Sequence, residues 1–231
     1  MTAASLKSAK DSPRRTQAER SEAMRQRLIE ATVLCLESEG YAGTTVSTII
    51  TAASVSRGAP IHHFPTKAAL IEATAEHLIR KIYIQLGHAI RTMETSDDRL
   101  TDMILASWRE LFDTTESMAM MELMMASRRD PELSAAMRKL WTAGYATLDV
   151  ATRHYFEPCD NGMDATQLFV LTHWLLGGMA MERHLTNGEH VIEHFLQLWC
   201  RVLGTHLRPR PGVNTPPPKP TFWDSSLTDP A

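Results

Sequence analysis

The spacing of apolar residues constrains this chain more than any other feature of its sequence. From about residue 20 to residue 208, apolar residues recur every three or four positions, and the alternation at every second position that is typical of strands is absent. The sequence therefore predicts an all-α protein, in which strands are not expected.

Composition narrows the class of protein further. Of the 231 residues, 43% are hydrophobic and 22% are charged, which is ordinary for a globular protein with a sizeable core. The apolar runs are too short to span a bilayer and the first residues lack the apolar stretch of a secretory signal, so we expect neither a membrane partner nor a leader. Cys35, Cys159 and Cys200 are odd in number and form no CxxC pair, which favours a reducing, cytoplasmic compartment.

Positive charge is concentrated near the beginning of the chain. The formal net charge is −3, yet residues 5 to 28 contain seven Lys or Arg residues against three Asp or Glu residues. A basic arm of this kind is attracted to phosphates, whereas the acidic remainder is not. A solvated tail without a partner is the alternative that this segment alone leaves open.

Two short helices are predicted after the first long one. The first helix, over about 21–39, ends at Gly40, a residue able to adopt left-handed geometry. Thr44 or Thr45 can cap a short helix, and a Ser-Val-Ser turn joins it to a second one over 57–64. Such a pair suits insertion of the second helix into a DNA major groove.

The exposed residue types of this pair fit DNA recognition. Arg57 can donate two parallel hydrogen bonds to guanine, while Gly58 and Ala59 leave room for close approach to base edges. The side chains that can reach phosphates are those of His62, His63 and Lys67. Use of the motif for packing alone is the less favoured alternative.

The string GYAGTTVSTIITAASVSRGAPIHHFPTKAALIEA, residues 40–73, resembles the tetracycline-repressor (TetR) family of bacterial regulators. The resemblance implies that Thr45 and Ser47 meet DNA from the first helix of the motif. It also implies that the second helix faces bases and that two further residues contact phosphates. The residues so placed are Arg57, Gly58, Ala59 and His62 at the bases, and His63 and Lys67 at the phosphates.

Three positions depart from the family pattern. Ile61 stands where a phosphate-binding Tyr is usual, Pro60 where a Leu is common, and Ser54 where a turn Gly is frequent. The fold tolerates these changes, but the phosphate contact of that Tyr is lost.

Methionines are concentrated on one predicted helix in the C-terminal two thirds of the chain. Five of them lie between residues 118 and 125, and Trp108 and Trp141 lie on the neighbouring helices. Unbranched thioethers adapt to irregular apolar shapes, so this region predicts a ligand cavity, as the family resemblance also implies. A plain core is the alternative. The predicted ligand-binding residues are Trp108, Met121, Met125, Trp141, Tyr145 and His173.

The last two predicted helices carry apolar stripes. Because members of the family pair through these helices, the resemblance implies a homodimer held by an intermolecular four-helix bundle. An ordinary core within one chain is the alternative. The predicted interface residues are Leu171, Leu175, Met179, Phe195, Leu198 and Val202.

One pattern is typical of an enzyme. His190, Glu193 and His194 fit H-x-x-E-H, the inverted zinc-protease motif. Zinc needs a third protein ligand, and the residues that follow offer only a helix end and a proline-rich segment. We therefore expect no catalysis, metal or cofactor, and a zinc metallohydrolase is a distant alternative.

Together these patterns predict four segments. They are a flexible basic arm (1–20), a three-helix helix-turn-helix DNA-binding domain (21–66), a larger helical ligand-binding and dimerisation domain (67–208) and a proline-rich disordered tail (209–231). The predicted protein is a homodimeric transcriptional regulator, a repressor released from palindromic double-stranded DNA by a small, largely apolar effector. The long helix after Thr66 is the predicted lever between the domains. A helical small-molecule binder without DNA recognition is the main alternative.

Overall fold

The computed structural model describes residues 16–58, 62–92, 98–159, 163–185, 189–213, 215 and 217–218. Within these ranges the chain is mostly helical, so the predicted all-α architecture is confirmed. The α-helices are α1 Gln17–Gly43, α2 Val46–Ala53, α3 Lys67–Thr92, α4 Arg99–Ser107, α5 Thr115–Ser127, α6 Pro131–Tyr155, α7 Ala165–Glu182 and α8 Glu189–Gly204. No helix in the described ranges has both the length and the apolar character needed to cross a bilayer.

Helix α1 begins earlier than predicted. The Thr16 hydroxyl accepts a hydrogen bond from the Glu19 amide at 3.2 Å, and the Glu19 carboxylate accepts one from the Thr16 amide at 2.7 Å. This capping box makes residues 17–20 helical, so the predicted flexible arm is wrong over those four residues. Residues 1–15 of the predicted arm lie outside the described ranges.

Two left-handed residues shape the N-terminal domain. Gly40 interrupts α1 with φ 67° and ψ 175°, at the position where the sequence predicts the helix to end. One further turn follows, up to Gly43. Ser54, with φ 51° and ψ 49°, ends α2 and begins the turn that the sequence predicts.

Local capping starts α2, α3 and α6 where the sequence predicts. The Thr45 hydroxyl accepts from the Thr48 amide at 3.1 Å, which selects Thr45 over Thr44 as the cap of α2. Thr66 caps α3 by accepting from the Ala69 amide at 3.1 Å. Asp130 caps α6 by accepting hydrogen bonds from backbone N–H groups, and these bonds lower the pKa of its carboxyl group.

Buried side chains form three clusters in the described ranges. The first lies under the helix-turn-helix and contains Leu28, Ile29, Ala31, Cys35, Ile49, Ala53, Phe64, Leu70 and Ala73. The second joins α1, α3, α5 and α6 through Val33, Leu36, Ile71, Ala75, Leu78, Ala119, Met120, Leu123, Leu133 and Leu140. The third fills the C-terminal part between α4, α7 and α8. The second cluster makes the two predicted domains share one apolar interface.

A π-helical turn, Trp108–Phe112, follows α4. The Asp113 amide donates to the Trp108 carbonyl at 2.9 Å, which is the five-residue spacing of a π-helix. The turn brings Trp108 into the third cluster, while Phe112 lies beside His173 on α7.

Two short strands contradict the expectation that strands are absent. Strand β1, Phe156–Pro158, pairs antiparallel with β2, Leu207–Pro209, and Arg210 continues the contact through a 2.8 Å bond from its amide to the Tyr155 carbonyl. The Arg208 and Arg210 guanidinium groups also donate to the Glu157 carboxylate. The predicted disordered tail is therefore wrong at its start. Three-residue strands are too short to show an alternating pattern, and their partners lie 51 residues apart.

Candidate functional site

The first helix of the helix-turn-helix presents polar side chains. Thr45 and Ser47 are both exposed on the first turn of α2. The Thr45 hydroxyl is engaged in the cap, and the Thr48 hydroxyl in turn accepts from the Thr45 amide at 2.8 Å. The structure thus places both predicted residues on the surface of the motif.

The recognition segment, residues 56–64, follows the Ser54 turn. Arg57 and Gly58 are exposed, and a Cβ added at Gly58 would meet no atom within 4 Å. His62 is exposed, whereas His63 is half-buried. The predicted base-facing residue Ala59, like Pro60 and Ile61, lies outside the described ranges.

Helix α1 packs against the end of the recognition segment. Phe64 is buried in the first cluster, and the Arg25 guanidinium lies 4.5 Å from the centre of its ring. Sequence reasoning treated Arg25 only as part of the basic arm. Its position over Phe64 supports the segment that carries Arg57 and His62.

Lys67, predicted as a phosphate contact, is half-buried at the first turn of α3. Its Nζ lies 4.7 Å from the centre of the Tyr41 ring and 3.5 Å from the Tyr41 carbonyl oxygen. Within one chain, Lys67 therefore supports the corner between α1 and α2. Its contact with phosphate stays a prediction.

A cavity of about 230 Å³ lies inside the C-terminal part of the chain. Its walls come from α3, α4, the π-helical turn, α5, α6, β1 and α7. The aromatic and sulfur-containing lining residues are Met103, Phe112, Met120, Met121, Met124, Met137, Trp141, Tyr145, Tyr155, Phe156, Phe169 and His173. All the other described lining residues are aliphatic, Gly, Ser or Thr, so this part of the wall is almost entirely apolar and contains no Asp, Glu, Lys or Arg among the residues that the structure describes.

Four of the six predicted ligand residues line this cavity. They are Met121, Trp141, Tyr145 and His173. The His173 ring packs edge-on against two aromatic side chains, with centroid distances of 5.2 Å to Trp141 and 5.5 Å to Phe112. Burial lowers the pKa of the His173 imidazole, which is therefore neutral at pH 7.

Trp108 and Met125 do not line the cavity, and their selection as lining residues is wrong. Successive residues of a helix are rotated by about 100° around its axis. Trp108 and Met125 are therefore next in sequence to residues that face the cavity, but they do not face it themselves. Trp108 points into the third cluster, and Met125 is half-exposed beside an open groove with Tyr41 and Asp130.

Several lining residues were missed as ligand candidates although their pattern was visible. Met137, Gly144 and Leu148 belong to an apolar stripe of α6, and helical spacing by itself does not distinguish cavity lining from core packing. Phe112 and Phe169 carried no such signal, because their inclusion depends on how the π-helical turn and α7 meet.

The predicted dimer residues form an apolar surface on α7 and α8. Leu171, Leu175, Leu198 and Val202 are exposed, Phe195 is 50% exposed, and Met179 is half-buried. Trp174, at 59% exposure, belongs to the same surface and was not predicted. A different face of α8 enters the third cluster through Ile192, Leu196, Cys200 and Leu203. An ordinary core within one chain therefore does not account for the predicted stripe.

The H-x-x-E-H residues lie on the surface of α8. His190, Glu193 and His194 are all exposed, and the His194 ring packs edge-on against Phe195. Among the residues that the structure describes, no group of three His, Cys, Asp or Glu side chains is placed to hold a metal ion.

Part of the chain matches a known protein family and a known regulator in sequence. Residues 28–74 match the family model of bacterial regulatory proteins, tetR family. The HTH-type transcriptional regulator CymR of Pseudomonas putida is 36% identical over 126 residues, which are 54% of this chain and 62% of CymR. The chain thus matches less than two thirds of that relative's length.

Solved structures share the fold over a larger part of the chain. A transcriptional regulator from Rhodococcus sp. Rha1 has a TM-score of 0.63 at 20% identity, covering 79% of this chain and 97% of that one. The multidrug binding protein EbrR, solved in complex with imidazole, has a TM-score of 0.53 at 22% identity, covering 77% and 93%. Over residues 28–74 the chain is thus similar to the tetR family of bacterial regulatory proteins, and the rest of the described chain shares the fold of these solved structures.

Proposed function

We propose that this chain is a ligand-responsive transcriptional regulator that acts as a homodimer in the cytoplasm and represses by occupying a DNA operator. One observation carries the proposal: α5 contributes Met120, Met121 and Met124 to the cavity and also packs against α1, which supports the helix-turn-helix. A single helix thereby joins a site for a small molecule to a surface for DNA. The proposed role is regulatory and needs no catalysis, metal or cofactor.

Arg57 is the proposed base-reading residue. It is exposed at the start of the recognition segment, and the open space at Gly58 allows a base edge to approach the backbone. A bidentate Arg on guanine contributes about 1 to 3 kcal/mol of discrimination. Thr45, Ser47 and His62 would flank this contact. Ala59 is included on the family resemblance, and His63 and Lys67 are proposed at phosphates.

The exposed surface of α7 and α8 is the proposed dimer interface. Large apolar side chains at 37% to 59% exposure lie on both helices, and an exposed apolar surface of this kind is unusual for a monomer. A two-fold pairing of this patch would bury it and set two recognition segments at a fixed spacing. Two half-sites one helical turn apart, about 34 Å, would match a palindromic operator.

The cavity favours a small, neutral effector. A cavity of roughly 150 Å³ is enough to hold benzene, so about 230 Å³ accommodates a single ring with short substituents. An ionised ligand would lose its hydration without gaining a charged partner from the described lining residues, none of which is Asp, Glu, Lys or Arg. We propose that the effector presents one uncharged polar group to His173, with Trp141 and Met121 against its apolar body.

Selection of genomic DNA fragments by the purified protein tests this function. We expect a small set of enriched fragments that bind with an affinity falling steeply as salt rises, because phosphate contacts release counterions. Fluorescence anisotropy on a labelled fragment then measures release by neutral single-ring compounds. Binding of such compounds without any enrichment of DNA would instead favour a helical small-molecule binder that lacks DNA recognition.

A further inference from the structure

The Glu122 carboxylate on α5 accepts a hydrogen bond at the point where Gly40 interrupts α1. The Tyr41 amide, which follows Gly40, donates to Glu122 Oε2 at 3.1 Å. Gly40 departs from helical geometry at this point, so the Tyr41 amide pairs with a side chain instead of continuing the α1 hydrogen-bond ladder. The partner lies 81 residues away in sequence.

The fit between Glu122 and this corner is close. A Cβ placed on Gly40 would lie 3.1 Å from Glu122 Oε2, so the carboxylate would have to move by a few tenths of an ångström to admit a larger residue. The positive φ of Gly40 independently favours glycine at the same position. The backbone and the packing therefore both favour glycine at this contact.

Tyr41 also contacts two further elements. Its hydroxyl donates to Asp130 Oδ2 at 3.1 Å, at the start of α6. Lys67, at the start of α3, lies over its ring and donates to its carbonyl. Burial and the bond to Asp130 raise the pKa of the Tyr41 hydroxyl, which stays protonated and able to donate.

The same corner sets the position of α2. The Gly40 carbonyl accepts from the Thr44 amide at 3.0 Å and from the Thr44 hydroxyl at 2.7 Å. The next residue, Thr45, is the cap of α2. A shift of Gly40 and Tyr41 relative to α5 is therefore passed directly to the first helix of the DNA-reading motif.

On the other side of Glu122, α5 meets the cavity. Met121 precedes Glu122 and Met124 follows it by two positions, and both line the cavity. We propose that Glu122 is the positioning residue that transmits cavity occupancy to the helix-turn-helix. When the cavity fills, α5 moves, and the bond from Glu122 to the Tyr41 amide carries the movement to α2. This inference rests on the proposed function.

A cavity-filling substitution serves as the probe of occupancy. Leu148→Trp places a ring in the cavity from α6, and Val170→Phe does so from α7 should the first variant not fold. Affinity for a selected DNA fragment is measured by anisotropy, and folding by the melting temperature. In the presence of Glu122, we expect the filled cavity to weaken DNA binding about tenfold, within the usual range of allosteric coupling.

Three substitutions then separate coupling from stability. In the Glu122→Leu background the filled cavity should change DNA affinity less than about twofold, because the link is lost. Glu122→Gln keeps an oxygen acceptor for the Tyr41 amide and should restore most of the effect. The control is Glu116→Leu, which breaks the ion pair of α5 with Lys81 without touching Tyr41, and it should leave the tenfold effect intact.

The outcomes distinguish the two levels of the account. An undiminished effect of the filled cavity in Glu122→Leu, or no effect in the parent protein, overturns the role of Glu122. Failure of the unmodified protein to select any DNA overturns the proposed function itself.

Discussion

The two halves of this molecule are packed differently. Under the helix-turn-helix, Leu28 and Ile49 are completely buried in a solid apolar cluster. The C-terminal half encloses a cavity of about 230 Å³ instead. Side chains that line a cavity have fewer packing partners than side chains in a solid cluster.

In the proposed function, the solid cluster supports a DNA-binding surface that must keep its shape, whereas the cavity is a ligand site that must adapt. A recognition segment reads bases only if Arg57 and its neighbours are held in place. A cavity lined by methionines can change its shape around a ligand, and binding recovers part of the missing packing. The shared second cluster, with Leu36 and Leu123, links the solid half to the hollow one.

Truncation of one apolar residue in each half, buried Ile49 and partly buried Leu148, should show the contrast most strongly. Ile49→Ala removes a side chain from the solid cluster and should lower the free energy of unfolding by about 2 to 5 kcal/mol. Leu148→Ala only enlarges an existing cavity and should lower it by about 1 kcal/mol. Urea unfolding measures both values. Equal losses would contradict the distinction between a solid and a hollow half.

A charge in the proposed interface should affect assembly and leave the packing of each half unchanged. Phe195→Glu would bury a carboxylate in the dimer, and an unpaired buried charge is destabilising by several kcal/mol. We expect a folded monomer in sedimentation and a DNA affinity at least about tenfold weaker. Leu34→Glu, on the exposed part of α1, is the matched control and should remain a dimer. A dimeric Phe195→Glu protein would place the interface elsewhere.

Loss of Arg57, the residue proposed to read bases, should act on specificity alone. Arg57→Ala should reduce the preference for the selected DNA over unrelated DNA by about 1 to 3 kcal/mol, with little change in the melting temperature. Arg138→Ala removes an equally exposed arginine from α6 and should leave the preference intact. Competition anisotropy measures the ratio. An unchanged ratio in Arg57→Ala would remove this residue from base recognition.

The smallest expected effect is a pH dependence in the hollow half. Because burial lowers the pKa of His173 in the folded protein, the unfolded chain binds its proton more readily. Stability should therefore fall as pH drops through the ordinary value of 6.5 and be fully present above it. His173→Phe should flatten this part of the curve of unfolding free energy against pH. A curve that keeps its slope in the variant would show that His173 is not buried as described.

The solid half could be predicted from local signals, residue by residue. Thr45 and Thr66 are caps within three positions of the amides they accept from, and Gly40 marks a left-handed residue. Such signals depend only on neighbouring residues, so one sequence is enough to read them. The capping box at Thr16 is a local signal of the same kind, but no apolar pattern beside it indicates a helix.

In the half that contains the cavity, the sequence predicts the region of the ligand site but not which residues line it. Met121 and Met125 look alike in sequence, but one lines the cavity and the other lies beyond its edge. The boundary depends on how α5 meets α6 and α7, which is long-range packing. The strands β1 and β2, and the bond between Glu122 and Tyr41, likewise join residues 51 and 81 positions apart. Short-range patterns carry no information about such pairs.

Footprinting of the purified protein on its most enriched genomic fragment tests the central claim most directly. The account predicts two protected half-sites related by a two-fold axis, with centres about 34 Å apart along the DNA. Protection should disappear with Phe195→Glu at the same protein concentration. A single unpaired protected site, or protection that persists in a monomeric variant, would contradict the claim that this chain reads DNA as a two-fold dimer.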